Sequence, residues 1–174
     1  VEAGGLSEAA QARIAVIGIG NPIAGDDGAG IHVARRLARA FAAEPRVYVA
    51  PWEGDLFGLA DVLPRAERFL FVDAAVGERP GEVRRFDRGS AFFAPSFHQL
   101  DAGTVLRALE ALGTVAPFPP WELWGITARL PCEFGEELSP EVGEAVARVA
   151  AALERRIAAT LAEEGPPPRD PQRR

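Results

Sequence analysis

The sequence predicts an α/β protein: a three-layer sandwich in which a mostly parallel, twisted sheet of about five strands lies between helices on both faces. Two observations predict it. Apolar runs of strand length alternate along the chain with segments of helical period. Two of those runs, RIAVIG (13–18) and RFLFVDAAV (68–76), are apolar at nearly every position, as central strands of a parallel sheet are when both their faces are covered.

The elements follow in order. Residues 1–12 are small and polar and are expected to form a flexible leader. RIAVIG is the first strand. AGIHVARRLARAF (29–41) has helical spacing, with Ile31, Ala34, Ala38 and Phe41 on one face and His32, Arg35 and Arg39 on a solvated one. RVYVAPW (46–52) is a second strand and DLFGLADVL (55–63) a short helix. RFLFVDAAV is the third strand and the most apolar, yet it carries Asp73. PGEVRRFD (80–87) alternates after a Pro-Gly turn, which fits an edge strand. HQLDAGTVLRALEALG (98–113) is helical through Ala102, Val105, Leu109 and Leu112. WELWGIT (121–127) is the last strand. The final helix opens with Ser139 as N-cap and Pro140 at its first position, and its stripe is Val142, Val146, Val149, Leu153, Ile157 and Leu161. Residues 13–164 thus form one domain, and the proline-rich stretch 165–174 is expected to be a flexible tail.

Composition narrows the function. With 48% hydrophobic and 25% charged residues in 174, the chain is an ordinary globular domain with a real core. A net charge of −6 argues against a nucleic-acid partner, which would select a basic stripe. One Cys excludes an internal disulfide and fits the cytoplasm. No apolar run approaches a membrane span, so no membrane partner is expected. Cys132, in LPCEFGEE, has no His motif beside it and reads as structural or incidental. No GxSxG elbow supports a serine triad.

The informative stretch is GIGNPIAGDDGAG (18–30), between the first strand and the first helix. A glycine-rich loop there ordinarily cradles a phosphate. The dinucleotide fingerprint requires a third glycine where Ile23 stands, however, and Asp26 and Asp27 would repel the pyrophosphate. Either acid can cap the helix that follows, but one capping position does not account for two acids. In an open parallel sheet ligands bind beyond the carboxyl ends of the strands. Asp26 and Asp27 follow the first strand and Asp73 ends the third, so parallel strands bring them to one end. His98, after the aromatic loop RGSAFFAPSF, can fold over that end. Two carboxylates and an imidazole suit zinc, nickel, manganese or cobalt. Plainer roles stay open: Asp73 as a turn acid, disfavoured because an idle charge between apolar flanks costs several kcal/mol, and His98 as a cap or a core residue.

The same segments resemble, in order, the motifs of the hydrogenase maturation proteases. GIGNPIAGDDGAGIHVARRL resembles that family's amino-terminal signature, G-x-G-N followed by D-[DE]-x-x-G. FLFVDAAVGERPGEVRRF resembles its strand ending in Asp before a Pro-Gly turn. SFHQLDAGTVLRAL resembles its His before a helix, and WGITARLPCEFGEELSPEVGEAVARVAAAL its carboxyl-terminal segment with L-[ST]-P. The resemblance runs from about residue 13 to 161. It implies a twisted sheet of about five strands between helices. It also implies an endopeptidase that removes the carboxyl-terminal extension of a nickel-iron hydrogenase large-subunit precursor after nickel insertion. The catalytic, metal-contacting triad it implies is Asp27, Asp73 and His98, on nickel supplied by the precursor, with Asp26 as a cap or a support behind them. Where many members carry Asp-Gly-Gly, in the region that reads the precursor, this chain has Trp52, Glu53 and Gly54; the plain alternative is that Trp52 is packed in the core. Two rival functions remain at this point: a non-proteolytic metal- or nucleotide-binding module, and an aspartic-type hydrolase in which Asp27 and Asp73 share a proton.

Overall fold

The computed structural model describes residues 12–54, 58–59, 63, 65–87, 102–112, 118–129 and 134–163. Its strands are β1 (Ala12–Ile19), β2 (Val47–Trp52), β3 (Ala66–Val76), β4 (Val83–Asp87) and β5 (Trp121–Ala128). Its helices are α1 (Ala29–Ala40), α2 (Ala102–Leu112) and α3 (Pro140–Glu163), and a 3-10 turn (Gly25–Gly28) links β1 to α1. They form one sheet in the order β2-β1-β3-β5-β4, in which β4 alone is antiparallel. The expected fold class and five strands are therefore present, and the edge strand read at 80–87 is there as Val83–Asp87, with Pro80 and Gly81 in the turn before it. Most of the helix read at 55–63, and the tail 165–174, lie outside the described residues. So do Cys132 and the leader, except for Ala12, which opens β1.

Alternation along the strands builds two apolar layers. Ile14 and Val16 of β1 and Leu70 and Val72 of β3 pack with Val33 and Leu37 of α1 and with Val146, Val149, Leu153 and Ile157 of α3. The intervening residues, Ala15, Ile17, Phe69 and Phe71, pack on the opposite face with Leu123 of β5, Leu106 of α2 and Leu59. Each fully buried Leu, Ile or Phe contributes about 1.5–3 kcal/mol through the apolar surface it withdraws from water. Two details of α1 differ from the sequence reading. Ile31 and Ala34 are fully buried as expected, but Val33 and Leu37 are fully buried too, so the inner face is broader than the predicted stripe, while Ala38 is only half-buried. His32, expected on the solvated face, is half-buried, and its Nε2 is enclosed without a hydrogen-bond partner among the described residues.

Polar contacts fix the sheet's far corner. Thr127 Oγ1 accepts from Glu82 N–H (2.9 Å) and lies within hydrogen-bond reach of the Arg79 carbonyl, so β5 holds the turn that leads into β4. Arg148 of α3 donates to the Gly81 carbonyl (2.9 Å) in the same turn. At the amino end of β5, Glu122 pairs with Arg156 of α3 and Arg68 of β3, away from the strands' carboxyl ends.

Candidate active site at the switch point

From β1 the strand order runs one way to β2 and the other way to β3, so the reversal falls between the carboxyl ends of β1 and β3. Crevices at such reversals are where open α/β sheets bind ligands, because the connecting segments leave in opposite directions there. Asp27 lies on the turn leaving β1, and Asp73 lies near the carboxyl end of β3. The two sequence-predicted acids therefore flank the reversal.

The loop after β1 is shaped by close backbone contact. Gly20 has φ 147°, and a Cβ built on it would fall 2.0 Å from the Asp27 carbonyl oxygen, so only glycine lets residue 20 touch the turn that carries the acids. Gly30 lies against both strands: a Cβ there would fall 2.3 Å from the carbonyl oxygens of Ile19 and Val72. That contact fixes the start of α1 over the residue that precedes Asp73. Asn21 ties the loop as its position suggests, its Oδ1 accepting from Ile23 N–H (3.2 Å).

The two neighbouring acids have different tasks. Asp27, 7% exposed, accepts the Asn21 backbone N–H at Oδ2 (3.1 Å). Asp26, 9% exposed, reaches across to the last helix: Oδ1 accepts from Ser139 N–H (2.6 Å) and Oδ2 from Ser139 Oγ–H (2.8 Å). Neither acid caps the helix that follows, for the residue preceding α1 is Gly28 and no side chain caps it. Asp26 instead binds the residue that starts α3, whose carbonyl accepts from Gly143 N–H (2.8 Å) as an N-cap's should. The acid pair is thus one carboxylate holding two distant segments together and one turned into its own loop.

Asp73 does not end its strand. β3 continues to Val76, but the pairing with β1 stops at Gly18 opposite Val72. From Asp73 onward β3 pairs with β5, and the residue opposite Asp73 is Gly125, which has no side chain to set beside the carboxylate. Asp73 alternates in phase with Phe69 and Phe71, on the face that α2 covers, and its Oδ1 accepts from Ala74 N–H (2.8 Å). The strand thus carries a half-buried acid between Val72 and Ala74, both buried.

His98 lies outside the described residues; α2 begins four positions after it. Among the described residues no three His, Cys, Asp or Glu side chains converge to hold an ion. Trp52 is half-buried and packs against the apolar layer around Phe69, in line with the plain packing reading, while Glu53 pairs with Arg35 (3.7 Å). The Asp26–Ser139 link was missed by sequence reasoning. Its only trace in the sequence is the second acid of the pair, which one capping position did not account for.

The fold is that of a doubly wound α/β protein, and Asp27 and Asp73 flank the strand-order reversal where such sheets bind their ligands. The chain belongs to the hydrogenase maturation protease family: the model of that family matches residues 31–156, a span that contains Asp73 and His98 and begins just after Asp27. It is 30% identical over 130 residues to the protein FrxA of Pyrococcus furiosus, covering 71% of this chain and 90% of that one. Its structure is similar to that of the [NiFe] hydrogenase maturation protease HybD from Thermococcus kodakarensis (TM-score 0.63, 28% identity, 83% of this chain and 98% of that one). It is also similar to that of HycI from the same organism (TM-score 0.61, 25% identity, 83% and 92%). The chain is accordingly a hydrogenase maturation endopeptidase, a hydrolase of peptide bonds. No described helix is long and apolar enough to cross a membrane.

Proposed function

We propose that this endopeptidase removes the carboxyl-terminal extension of a nickel-iron hydrogenase large-subunit precursor after nickel has been inserted, and that Asp27, Asp73 and His98 contact the nickel the precursor brings. The observation that carries the reading is the position of Asp27 and Asp73 on either side of the switch point in a chain of this family. Two carboxylates there attract a cation rather than a phosphate, which explains why a glycine-rich loop at a helix entrance carries acids. No third ligand accompanies them among the described residues, and His98 completes a mixed oxygen and nitrogen set that suits nickel.

On this reading the metal is a recognition element. Once it is held, the scissile peptide is tethered near the strand ends, which turns an encounter into a fixed geometry. A precursor without nickel lacks the anchor, so cleavage waits for metal insertion. Asp26 supports the arrangement from behind, because its bonds to Ser139 keep the Asp27 loop in place.

The test is to incubate the protein with nickel-loaded and nickel-free precursor and weigh the products by mass spectrometry. Loss of a carboxyl-terminal peptide from the loaded form alone is the expected result. Equal cleavage of both would remove nickel as the gate. Asp73→Ala should slow processing of the loaded form by about a hundredfold or more while thermal unfolding stays close to that of the parent. Normal processing by this variant would overturn the metal-contacting assignment.

A further inference from the structure

Ile23 and Phe134 are 55% and 89% exposed. Among the residues whose side chains are described, no other Ile, Leu, Val, Phe, Tyr or Trp is exposed. A single exposed apolar side chain requires no explanation. These two, however, occupy the same place in the fold. Residues 24 and 135 form a parallel bridge, in which Gly25 N–H donates to the Gly135 carbonyl (2.7 Å) and Gly135 N–H to the Ile23 carbonyl (3.0 Å). Ile23 and Phe134 each immediately precede a bridge residue, so they stand side by side on two joined segments.

Those segments are the ones that hold the acids. Ile23 lies four residues before Asp27, and the bridge joins its loop to the stretch that leads to Ser139, the residue Asp26 binds. The support beneath Ile23 is rigid: its N–H is bonded to Asn21 Oδ1 and its carbonyl to Gly135. Its side chain stays exposed while its backbone is tied on both sides.

We infer that Ile23 and Phe134 form an apolar grip for the precursor, taking apolar side chains of the segment that leads to the scissile bond. The inference rests on the proposed precursor-processing reading and names how the same site holds its substrate. Continuity with the acid loop is what selects the precursor as occupant. Ile23 stands on the Asp27 loop, four residues before that acid, so a chain whose metal Asp27 holds runs close to the pair, and a preorganised apolar pair there binds without further ordering cost. The grip acts on binding alone, for neither side chain carries a group that takes part in the chemistry.

Two measurements on Ile23→Ser and Phe134→Ser test it. The first is affinity for the nickel-free precursor, which isolates this contact from the metal contact. The second is the processing rate against concentration of the nickel-loaded precursor. Each substitution should weaken binding of the nickel-free form about tenfold and raise KM about tenfold, with kcat within about twofold of the parent. Unchanged affinity and KM in both variants would overturn the grip. A parent protein that sediments as a dimer, with both variants monomeric and equally active, would assign the pair to a second copy of this chain and reject the precursor. A precursor that the parent binds but does not cut, with both variants weaker, would reject the proposed cleavage and keep the grip. A precursor neither bound nor cut would reject both.

Discussion

At the scale of single residues, the sharpest constraint is the space left beside the backbone. Gly30 lies against two carbonyl oxygens that a Cβ would meet at 2.3 Å, and a backbone cannot yield as a flexible side chain does. Gly30→Ala should therefore destabilise the protein by about 3 kcal/mol, a fall of roughly 10 °C in Tm for a chain of this size. Gly143 in α3 is the control, since a Cβ there meets nothing within 4 Å. Gly143→Ala should raise stability by about 0.5–1 kcal/mol, because alanine is the better helix former. Calorimetry on both variants checks the pair, and equal effects would mean that the helix–strand contact is looser than the geometry indicates. The need for glycine in GIGNPIAGDDGAG was legible in the sequence as a type of loop. Which glycine touches which carbonyl was not, because that depends on how α1 lies across β1 and β3. Asp27 was legible in the same way, as an acid beyond a strand end. The partner of Asp26 was not, since the serine it binds lies 113 positions away.

At the scale of elements, the Asp26–Ser139 contact joins the amino-terminal loop to the start of the longest helix. Asp26→Ala leaves the Ser139 N–H and hydroxyl without their acceptor and should cost about 1–3 kcal/mol. Asp26→Asn keeps one carbonyl oxygen for the N–H, and its amide can donate to a hydroxyl that turns to receive it. Its cost should be under about 1 kcal/mol. Thermal unfolding of the two variants separates hydrogen bonding from charge: equal losses would assign the link to the carboxylate's charge. The elements themselves were readable where period and composition agreed. β1 and β3 are continuous apolar runs because helices cover both faces. β4 was readable from the Pro-Gly turn before it and its charged residues, and as an edge strand it fully buries none of its side chains. Reading was incomplete at the inner face of α1, where Ile31 and Ala34 are buried as expected but Val33 and Leu37 are buried with them and Ala38 is only half-buried. A helix crossing two strands buries a broader face than one apolar ridge defines.

At the scale of the whole molecule, ionisation couples the fold to pH. The His32 imidazole lies below its ordinary value of 6.5, first because burial disfavours its charged form and then because Arg35 and Arg36 repel it. Glu44 is held down to about 2 from 4.5, chiefly by its side-chain hydrogen bonds from Arg46 and then by the Arg46 backbone N–H. Both folded-state values are depressed, so both groups act in the same direction. For His32 the stabilising difference is present above pH 6.5; below it the unfolded chain takes up a proton that the folded chain resists, and stability falls. For Glu44 the difference is present above about pH 4.5 and is lost as pH falls toward 2. The Glu44 pair lies at the surface, so salt screens it and its effect is the smaller one. Urea midpoints should therefore drop between pH 7.5 and 5.5 and again below pH 4.5. His32→Gln should reduce the first drop and leave the second, and Glu44→Gln should do the reverse. A first drop that is the same in His32→Gln as in the parent would mean that another group sets the acid sensitivity near neutrality, and that the enclosed His32 Nε2 is hydrated in solution.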